Sequence, residues 1–256
     1  MHKLPDWFKK AAVLLFWLLL WQISSLLIHN RILLVGPFET LRTLCGQIVT
    51  PSFWRAVCFS AGRISLGFML AFFSGLLTGS LSYRKSSFGS FWAPLIQSVK
   101  SIPVACFVIL ALIWTGAANL SIFISFLVVY PIIHTNTLEG LKSTDPLLLE
   151  MAKVFRVPFH RKALCIYRLS LYPYLVSACK TALGMGFKSG IAAEVIGVPD
   201  GSIGEGLYRA KIYLSTPELF SWTLAIILVS AALEKLFLLL LKMIGQKGGQ
   251  KKDGTG

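Results

Sequence analysis

The longest uncharged run of the chain covers residues 101–138, where 38 consecutive positions carry no Lys, Arg, Asp or Glu. A helix needs about 20 mostly apolar residues to cross a bilayer, so this run is too long for a single crossing. The small and polar sequence TGAAN at 115–119 interrupts it near the middle. The run therefore predicts two transmembrane helices, at about 102–114 and 120–138.

The composition of the whole chain agrees with a membrane protein. Of its 256 residues, 55% are hydrophobic and 14% are charged, whereas soluble domains carry about 25% charged residues. A soluble globule of this length could not bury so much apolar surface, and disorder requires low hydrophobicity. Both classes are excluded, and the chain is predicted to lie in a lipid bilayer.

Four further apolar segments are long enough to cross the bilayer, at about 11–28, 64–83, 172–195 and 219–241. The first resembles a signal peptide, but no small-x-small cleavage site follows it, so we interpret it as a span. The prediction is an all-α polytopic membrane protein with about six transmembrane helices. It consists of a short N-terminal segment (1–10), a membrane domain (11–242) and a disordered tail (243–256).

The distribution of basic residues predicts the orientation. The chain has 25 Lys and Arg against 11 Asp and Glu, a formal net charge of +14. With six spans, 16 of the 25 basic residues fall on the side of both termini and 5 on the opposite side. Cytoplasmic loops are enriched in Lys and Arg, so the side with 16, called the basic side below, is predicted to be cytoplasmic. Topology thus explains the positive charge, and nucleic acid is not required as a partner.

Two of the predicted spans carry small residues at every fourth position. The second span has Gly67, Ala71, Gly75 and Gly79, and the fifth has Ala178, Ala182, Gly186 and Gly190. Small residues let helix backbones approach closely in lipid. The two ladders predict either packing faces within the chain or a surface between helices that must meet or slide, such as a dimer seam. Both interpretations stay open.

Ionisable residues at membrane depth are candidate functional groups, because they are costly there. Arg63 and Lys235 lie near the ends of spans, where a long side chain can reach water. Lys180, Lys188 and Glu194 belong to the fifth span. We interpret these three as candidates for lining a water-filled path or binding an anion, with partners on other helices as the alternative.

The most informative loop lies at 142–171, between the fourth and fifth spans. Ser-Thr-Asp-Pro at 143–146 is typical of a helix start, because a side-chain oxygen caps the helix and proline fits its first turn. Val157-Pro158 predicts a bend, since the residue before a proline avoids the helical region. Two short helices joined by a bend, basic on one side and apolar on the other, suit docking into a groove of a partner.

This loop resembles the EAA loop of binding-protein-dependent ABC importer permeases, most closely in the branch for nitrate, sulfonates and taurine. Glu150-Met151-Ala152 matches the start of that motif and Pro173 its final proline. Arg156 stands where a glycine is usual, and Leu169 replaces an earlier proline. Further matches follow in order along the chain: Gly36-Pro37, Ser60, Arg63, Gly67, Ser101-Ile102-Pro103, Trp114-Thr115-Gly116, Pro131, Asn136-Thr137, Ala193-Glu194 and Ile203-Gly204.

The resemblance implies a type I permease fold in a bacterial inner membrane, with both termini cytoplasmic. It implies three protein partners: separate ABC ATPase subunits, a second permease copy and an extracytoplasmic solute-binding protein. Six residues of the loop would form the element that docks onto the ATPase: Glu150, Ala152, Lys153, Arg156, Arg161 and Lys162. The cargo would be a small solute, such as a nitrate-, sulfonate- or taurine-like anion, and transport would proceed by alternating access.

The sequence carries no sign of catalysis by this chain. It has no phosphate-binding loop, because the nearest stretch, GMGFKS at 184–189, lacks the glycine before the lysine and lies inside a span. His134 is interpreted as a satisfied polar residue, and the scattered cysteines as packing residues, so no cofactor or metal is expected. A passive channel or a secondary transporter remains the alternative function. A passive channel would not need the basic two-helix loop.

Overall fold

The structure is a computed structural model that describes residues 6–30 and 32–246. Within these residues every regular element is helical, and the predicted all-α, polytopic fold class is confirmed. The helices are α1 (Asp6–Ile28), α2 (Pro37–Ile48), α3 (Pro51–Arg84), α4 (Ser86–Ser101), α5 (Val104–Lys142), α6 (Pro146–Val154), α7 (Phe159–Lys162), α8 (Arg168–Gly197), α9 (Ile203–Ile212) and α10 (Thr216–Gln246). A π-helical turn, Ala163–Tyr167, joins α7 to α8.

Two terminal predictions fall partly outside the described residues. The N-terminal segment was assigned to 1–10, of which 1–5 are not described. The disordered tail was assigned to 243–256, but α10 continues through Gln246, and 247–256 lie outside the described part. The basic residues Lys3, Arg31, Lys247, Lys251 and Lys252, which enter the orientation argument, are likewise not described.

Among the described residues, four helices are long and apolar enough to cross a membrane: Phe8–Ile28, Pro51–Arg84, Val104–Lys142 and Thr216–Met243. They contain the first, second, fourth and sixth predicted spans, and the third except for residues 102 and 103, which precede α5. The fifth predicted span lies in α8, a helix of 30 residues that carries two lysines and one glutamate in that stretch. The count of six crossings and the span bounds stay predictions.

The third and fourth predicted spans are separated by a break inside α5. Gly116 has φ 69° and ψ 167°, which interrupts the helix between the two apolar halves. A positive φ is readily adopted only by glycine, because it has no Cβ. Arg63 of α3 stabilises this break, since its Nη1 donates to the carbonyl of Ala118 (2.5 Å) and to Oδ1 of Asn119 (2.8 Å). Arg63 is therefore bound to the neighbouring helix.

The centre of the molecule is formed by α3, α5 and α8, called the central trio below, with α5 between the other two. Both small-residue ladders face into the trio. A Cβ added at Gly67 would meet the backbone oxygen of Ile122, and one at Gly79 the backbone oxygen of His134 at 2.8 Å. A Cβ at Gly186 would meet the side chain of Val129 at 2.7 Å. The helices thus approach so closely that no larger residue fits at these positions.

A second layer covers one end of the central trio. There α2, α9 and α10 pack against α3 and α8 around Phe53, Phe187, Ile203 and Ala225. The ring of Phe53 stacks on Trp222 with centroids 5.1 Å apart. Helix α1 lies outside this layer, and its apolar stretch is not buried within the chain. Such a helix, apolar on all sides and uncovered, is expected to face lipid.

Candidate functional site: the α6 loop and the α8 surface

The loop between α5 and α8 begins with a well-capped helix. The carboxylate of Asp145 accepts a hydrogen bond from the backbone N–H of Leu147 (2.9 Å), and Pro146 occupies the first helical position. An N-cap oxygen satisfies one of the backbone donors that a helix start leaves unpaired. The 143–146 sequence therefore fixes where α6 begins, at Pro146.

Arg156 forms the bend after α6. It has a left-handed backbone conformation with φ 49°. The N–H of Val157 donates to the carbonyl of Ala152 (2.9 Å), and the N–H of Arg156 to that of Lys153 (3.1 Å). These two bonds form a Schellman motif, which usually has glycine at its left-handed position. The position where the EAA loop usually has glycine is thus a left-handed backbone position. Arg156 adopts this conformation here at a conformational cost.

Helix α6 presents an apolar face to its surroundings. Leu147, Met151, Val154 and Phe155 share this face, with exposures between 51% and 78%. Ala152, on another side of the helix, is buried at 1% exposure. Glu150 and Lys153 are exposed beside the apolar face. An amphipathic helix with an uncovered apolar face is suited to insertion into a groove of another protein.

The remaining predicted coupling residues follow the bend. Arg161 is exposed and Lys162 half-buried at the end of α7. The segment is tied to α3, since the guanidinium of Arg84 lies over the ring of Phe159, 5.1 Å from its centroid. The rings of Tyr83 and Tyr167 add an edge-to-face contact with centroids 5.7 Å apart. A movement of the loop would therefore be transmitted to the end of α3.

Lys180 and Lys188 both lie on the exposed surface of α8. Gly184, between them, would have open space around an added Cβ, and Met185 is 49% exposed. This surface is opposite the ladder of α8, which packs inside the central trio. A helix that presents two lysines on its free surface could line a path for an anion.

Glu194 differs from these lysines because it is buried. Its side chain is fully buried, and its Oε2 accepts a hydrogen bond from Ser60 Oγ at 2.6 Å. Ser60 Oγ in turn accepts from the N–H of Ile203 (2.9 Å), and the N–H of Gly204 lies 3.4 Å from Glu194 Oε2. Glu194 therefore ties together α3, α8 and the start of α9.

Lys180 and Glu194 are 14 residues apart, which places them within about 40° of each other around the axis of α8. That angle does not determine burial, because α9 folds back over the last turn of α8. A Cβ at Gly204 would meet the Cβ and the backbone of Glu194. The candidate path residues are thus divided into two exposed lysines and one buried carboxylate.

A polar network inside the membrane domain was not predicted from the sequence. The indole N–H of Trp92 donates to the hydroxyl of Tyr130 (2.5 Å), which donates to Thr78 Oγ1 (3.0 Å). Thr78 Oγ1 lies 3.0 Å from Nδ1 of His134. His134 is therefore a satisfied buried residue, as interpreted from the sequence. The signal that could have indicated the network is the presence of polar side chains inside three apolar helices.

In the part of the chain that the structure describes, no group of three or more His, Cys, Asp or Glu side chains could hold a metal ion. Four of the five cysteines are exposed, and Cys179 is buried in the central trio.

Comparison with known proteins gives relatives of one kind. A nitrate import permease protein of Synechococcus elongatus is 28% identical over 221 residues, which is 81% of this chain and 78% of the relative. A taurine transport system permease protein of Escherichia coli is 22% identical over 230 residues, 88% of this chain and 82% of the relative. A bicarbonate transport system permease protein of Synechococcus elongatus is 27% identical over 226 residues, which is 83% of this chain and 79% of the relative. No protein-family model matches the chain.

These relatives and the helical architecture define the class of protein: a multi-span membrane permease of the kind used by ABC importers. Within that class, the chain is similar to the permeases named for nitrate, sulfonate, taurine and bicarbonate, so the resemblance of its motifs is confirmed. The relatives support the permease prediction and give no support to an uncoupled channel or secondary transporter. A location in a membrane follows from the same findings.

Proposed function

We propose that this chain is the membrane subunit of an ATP-driven importer, and that α6 is the element through which a separate ATPase subunit moves it. The single observation that carries this proposal is the exposed apolar face of α6, presented on a loop whose following segment contacts α3 through Phe159 and Tyr167. ATP hydrolysis belongs to the partner, and the chain catalyses no reaction of its own. In this arrangement the basic side is cytoplasmic and carries both termini.

The solute path is proposed to lie between two copies of the chain. The exposed surface of α8, with Lys180 and Lys188, would face the second copy across the path. Two lysines from each copy would attract a small anion, because opposite charges within a few ångströms interact favourably even in a hydrated passage. A nitrate-, sulfonate- or taurine-like anion, delivered by an extracytoplasmic binding protein, is the proposed cargo class.

Glu194 has a structural role in this proposal. It fixes the end of α8 to α3 and to the start of α9, so a shift of α6 would be passed through α8 to the opposite side of the membrane. Alternating access needs such rigid elements, because the path must open on one side as it closes on the other. ATP drives the change through its different affinity for the two states.

The docking role of α6 is tested by placing a charge on its apolar face. Val154→Asp changes a residue that is 78% exposed, and Val49→Asp is the matched control, since Val49 is 83% exposed at the end of α2, on the opposite side of the predicted membrane. The tagged full-length chain would be purified from its own cells in mild detergent, and ATP hydrolysis by the purified complex measured.

The wild type and Val49→Asp are expected to retain ATP hydrolysis, whereas Val154→Asp loses it. Burying a charge at the centre of an interface costs about 2 kcal/mol or more, which is roughly a 30-fold loss of affinity. A wild-type chain that purifies without ATPase activity, or equal activity of the two variants, would contradict the proposal.

A further inference from the structure

A cleft of about 350 Å³ opens between the end of α3, the end of α5 and the segment that leads into α8. Cavities that hold small ligands have volumes of roughly 300–1,000 Å³. Its wall is mainly apolar, with Leu76, Leu141, Leu164 and Leu171 among the side chains that form it. No residue of the proposed path and none of the proposed docking residues lines this cleft, although the contacts of Phe159 and Tyr167 with α3 form part of its wall.

The cleft runs from the predicted membrane boundary into the bilayer. Arg84 ends α3 just after the second predicted span, and Leu76 lies two turns further inside that span. At 1.5 Å per residue, the distance along α3 between these two residues is about 12 Å. With the predicted bounds of the second span, the apolar depth of the cleft would lie at the level of lipid acyl chains and its mouth at the level of headgroups.

Both charged side chains that line the cleft are arginines, Arg84 and Arg168. Tyr83 and Tyr167 accompany them, and tyrosine is enriched where the apolar and polar layers of a membrane meet. A basic mouth above an apolar interior matches a molecule with an anionic head and a hydrocarbon tail. Basic pockets between transmembrane helices on the cytoplasmic side are suited to anionic lipid headgroups.

The wall formed by residues 163–167 has an unusual backbone. This stretch is a π-helical turn, and such turns are rare and occur frequently at functional sites. The turn carries Leu164, which is 59% exposed, and Tyr167, both of which line the cleft. It also connects α7 to α8, so whatever occupies the cleft contacts the segment between the docking loop and the proposed path.

We propose that this cleft binds one anionic phospholipid from the leaflet of the basic side, with an acyl chain along Leu76 and Leu141 and the phosphate at Arg84. The bound lipid holds the end of α3 against the segment leading into α8. The proposal rests on the proposed placement of α3 and α8 in the membrane and is independent of the ATPase and of the solute.

The test is native mass spectrometry of the full-length protein in detergent with an equimolar mixture of phosphatidylglycerol and phosphatidylethanolamine of identical acyl chains. The wild type is expected to retain phosphatidylglycerol preferentially as a single adduct. Arg84→Gln should reduce that adduct about fivefold, the effect of about 1 kcal/mol per basic residue near an anionic lipid surface. Lys85→Gln is the matched control, because it removes the same charge one residue away and does not line the cleft.

A second variant keeps the charge and fills the space. Ala163→Trp, which lines the cleft, should abolish the adduct, whereas Ala12→Trp on the exposed surface of α1 should leave it unchanged. Size-exclusion profiles confirm that each variant is folded. Equal retention of both lipids, equal losses for Arg84→Gln and Lys85→Gln, or an adduct that survives Ala163→Trp would each overturn the proposal. So would a change from dimer to monomer in Ala163→Trp without loss of lipid, since the cleft would then hold a second copy.

Discussion

The central trio buries its apolar surface within the chain, whereas α6 leaves its apolar face exposed. In the trio, small residues bring α3, α5 and α8 so close that the helices bury each other's surface, as at Gly67 and Gly79. In α6, Met151 and Val154 remain uncovered in the chain, and only Ala152 is buried. The trio packs within one chain, whereas α6 and the lysine surface of α8 are exposed and are proposed to make contacts outside it.

The two regions are therefore expected to respond differently to substitution. A change in the trio alters packing within the chain and is expected to affect stability first. A change on α6 or on the exposed surface of α8 leaves the folded chain intact and is expected to affect transport.

The largest effect is expected from Gly67→Ala. The new methyl group would meet the backbone oxygen of Ile122, which cannot move without shifting α5. Overpacking of this kind costs about 3 kcal/mol. Gly62→Ala is the matched control on the same helix, because an added Cβ there has nothing within 4 Å and alanine favours a helix over glycine by about 1 kcal/mol. Thermal unfolding in detergent should show a much lower midpoint for Gly67→Ala than for the wild type, and no decrease for Gly62→Ala. Equal unfolding curves of the two variants would contradict the close approach of α3 and α5.

A smaller, purely functional effect is expected from Lys188→Met. The side chain is exposed on α8, so stability and assembly should be unchanged. Loss of one charge from a hydrated path weakens attraction of an anion by about 1 kcal/mol, or roughly fivefold in uptake at low solute concentration. Cells expressing the variant would be tested with labelled nitrate, taurine and bicarbonate. Lys211→Met, exposed on α9, is the control. Unaltered uptake by Lys188→Met would remove this residue from the path.

Much of the helical architecture could be predicted from the sequence because a long charge-free run indicates a helix that crosses the bilayer. The interruption at 115–119 indicated the break that the structure has at Gly116, and the Ser-Thr-Asp-Pro sequence indicated the start of α6. These are local signals: each depends on a few neighbouring residues and on the medium around them.

The placement of Glu194 could not be predicted in this way. Its burial depends on α9, which follows in the sequence but returns over the end of α8, and on Ser60, which lies 134 positions earlier. What each small-residue ladder packs against likewise depends on another helix. The sequence alone therefore did not distinguish packing within the chain from contact between two copies. The periodicity of a single helix defines which residues share a face, but not what covers that face.

The smallest predicted effect concerns the bend that presents α6. Arg156 occupies a left-handed position that costs a non-glycine residue roughly 1–2 kcal/mol, whereas glycine gains more entropy on unfolding, so Arg156→Gly should stabilise α6 by about 0.5 kcal/mol. Lys153→Gly lies inside α6 and should destabilise it by about 1 kcal/mol. Hydrogen exchange of the α6 amides should therefore slow in the first variant and accelerate in the second. Faster exchange in both variants would mean that contacts of the Arg156 side chain stabilise the bend more than its backbone conformation destabilises it. In that case α6 would depend on packing against the rest of the chain, as the helices of the central trio do.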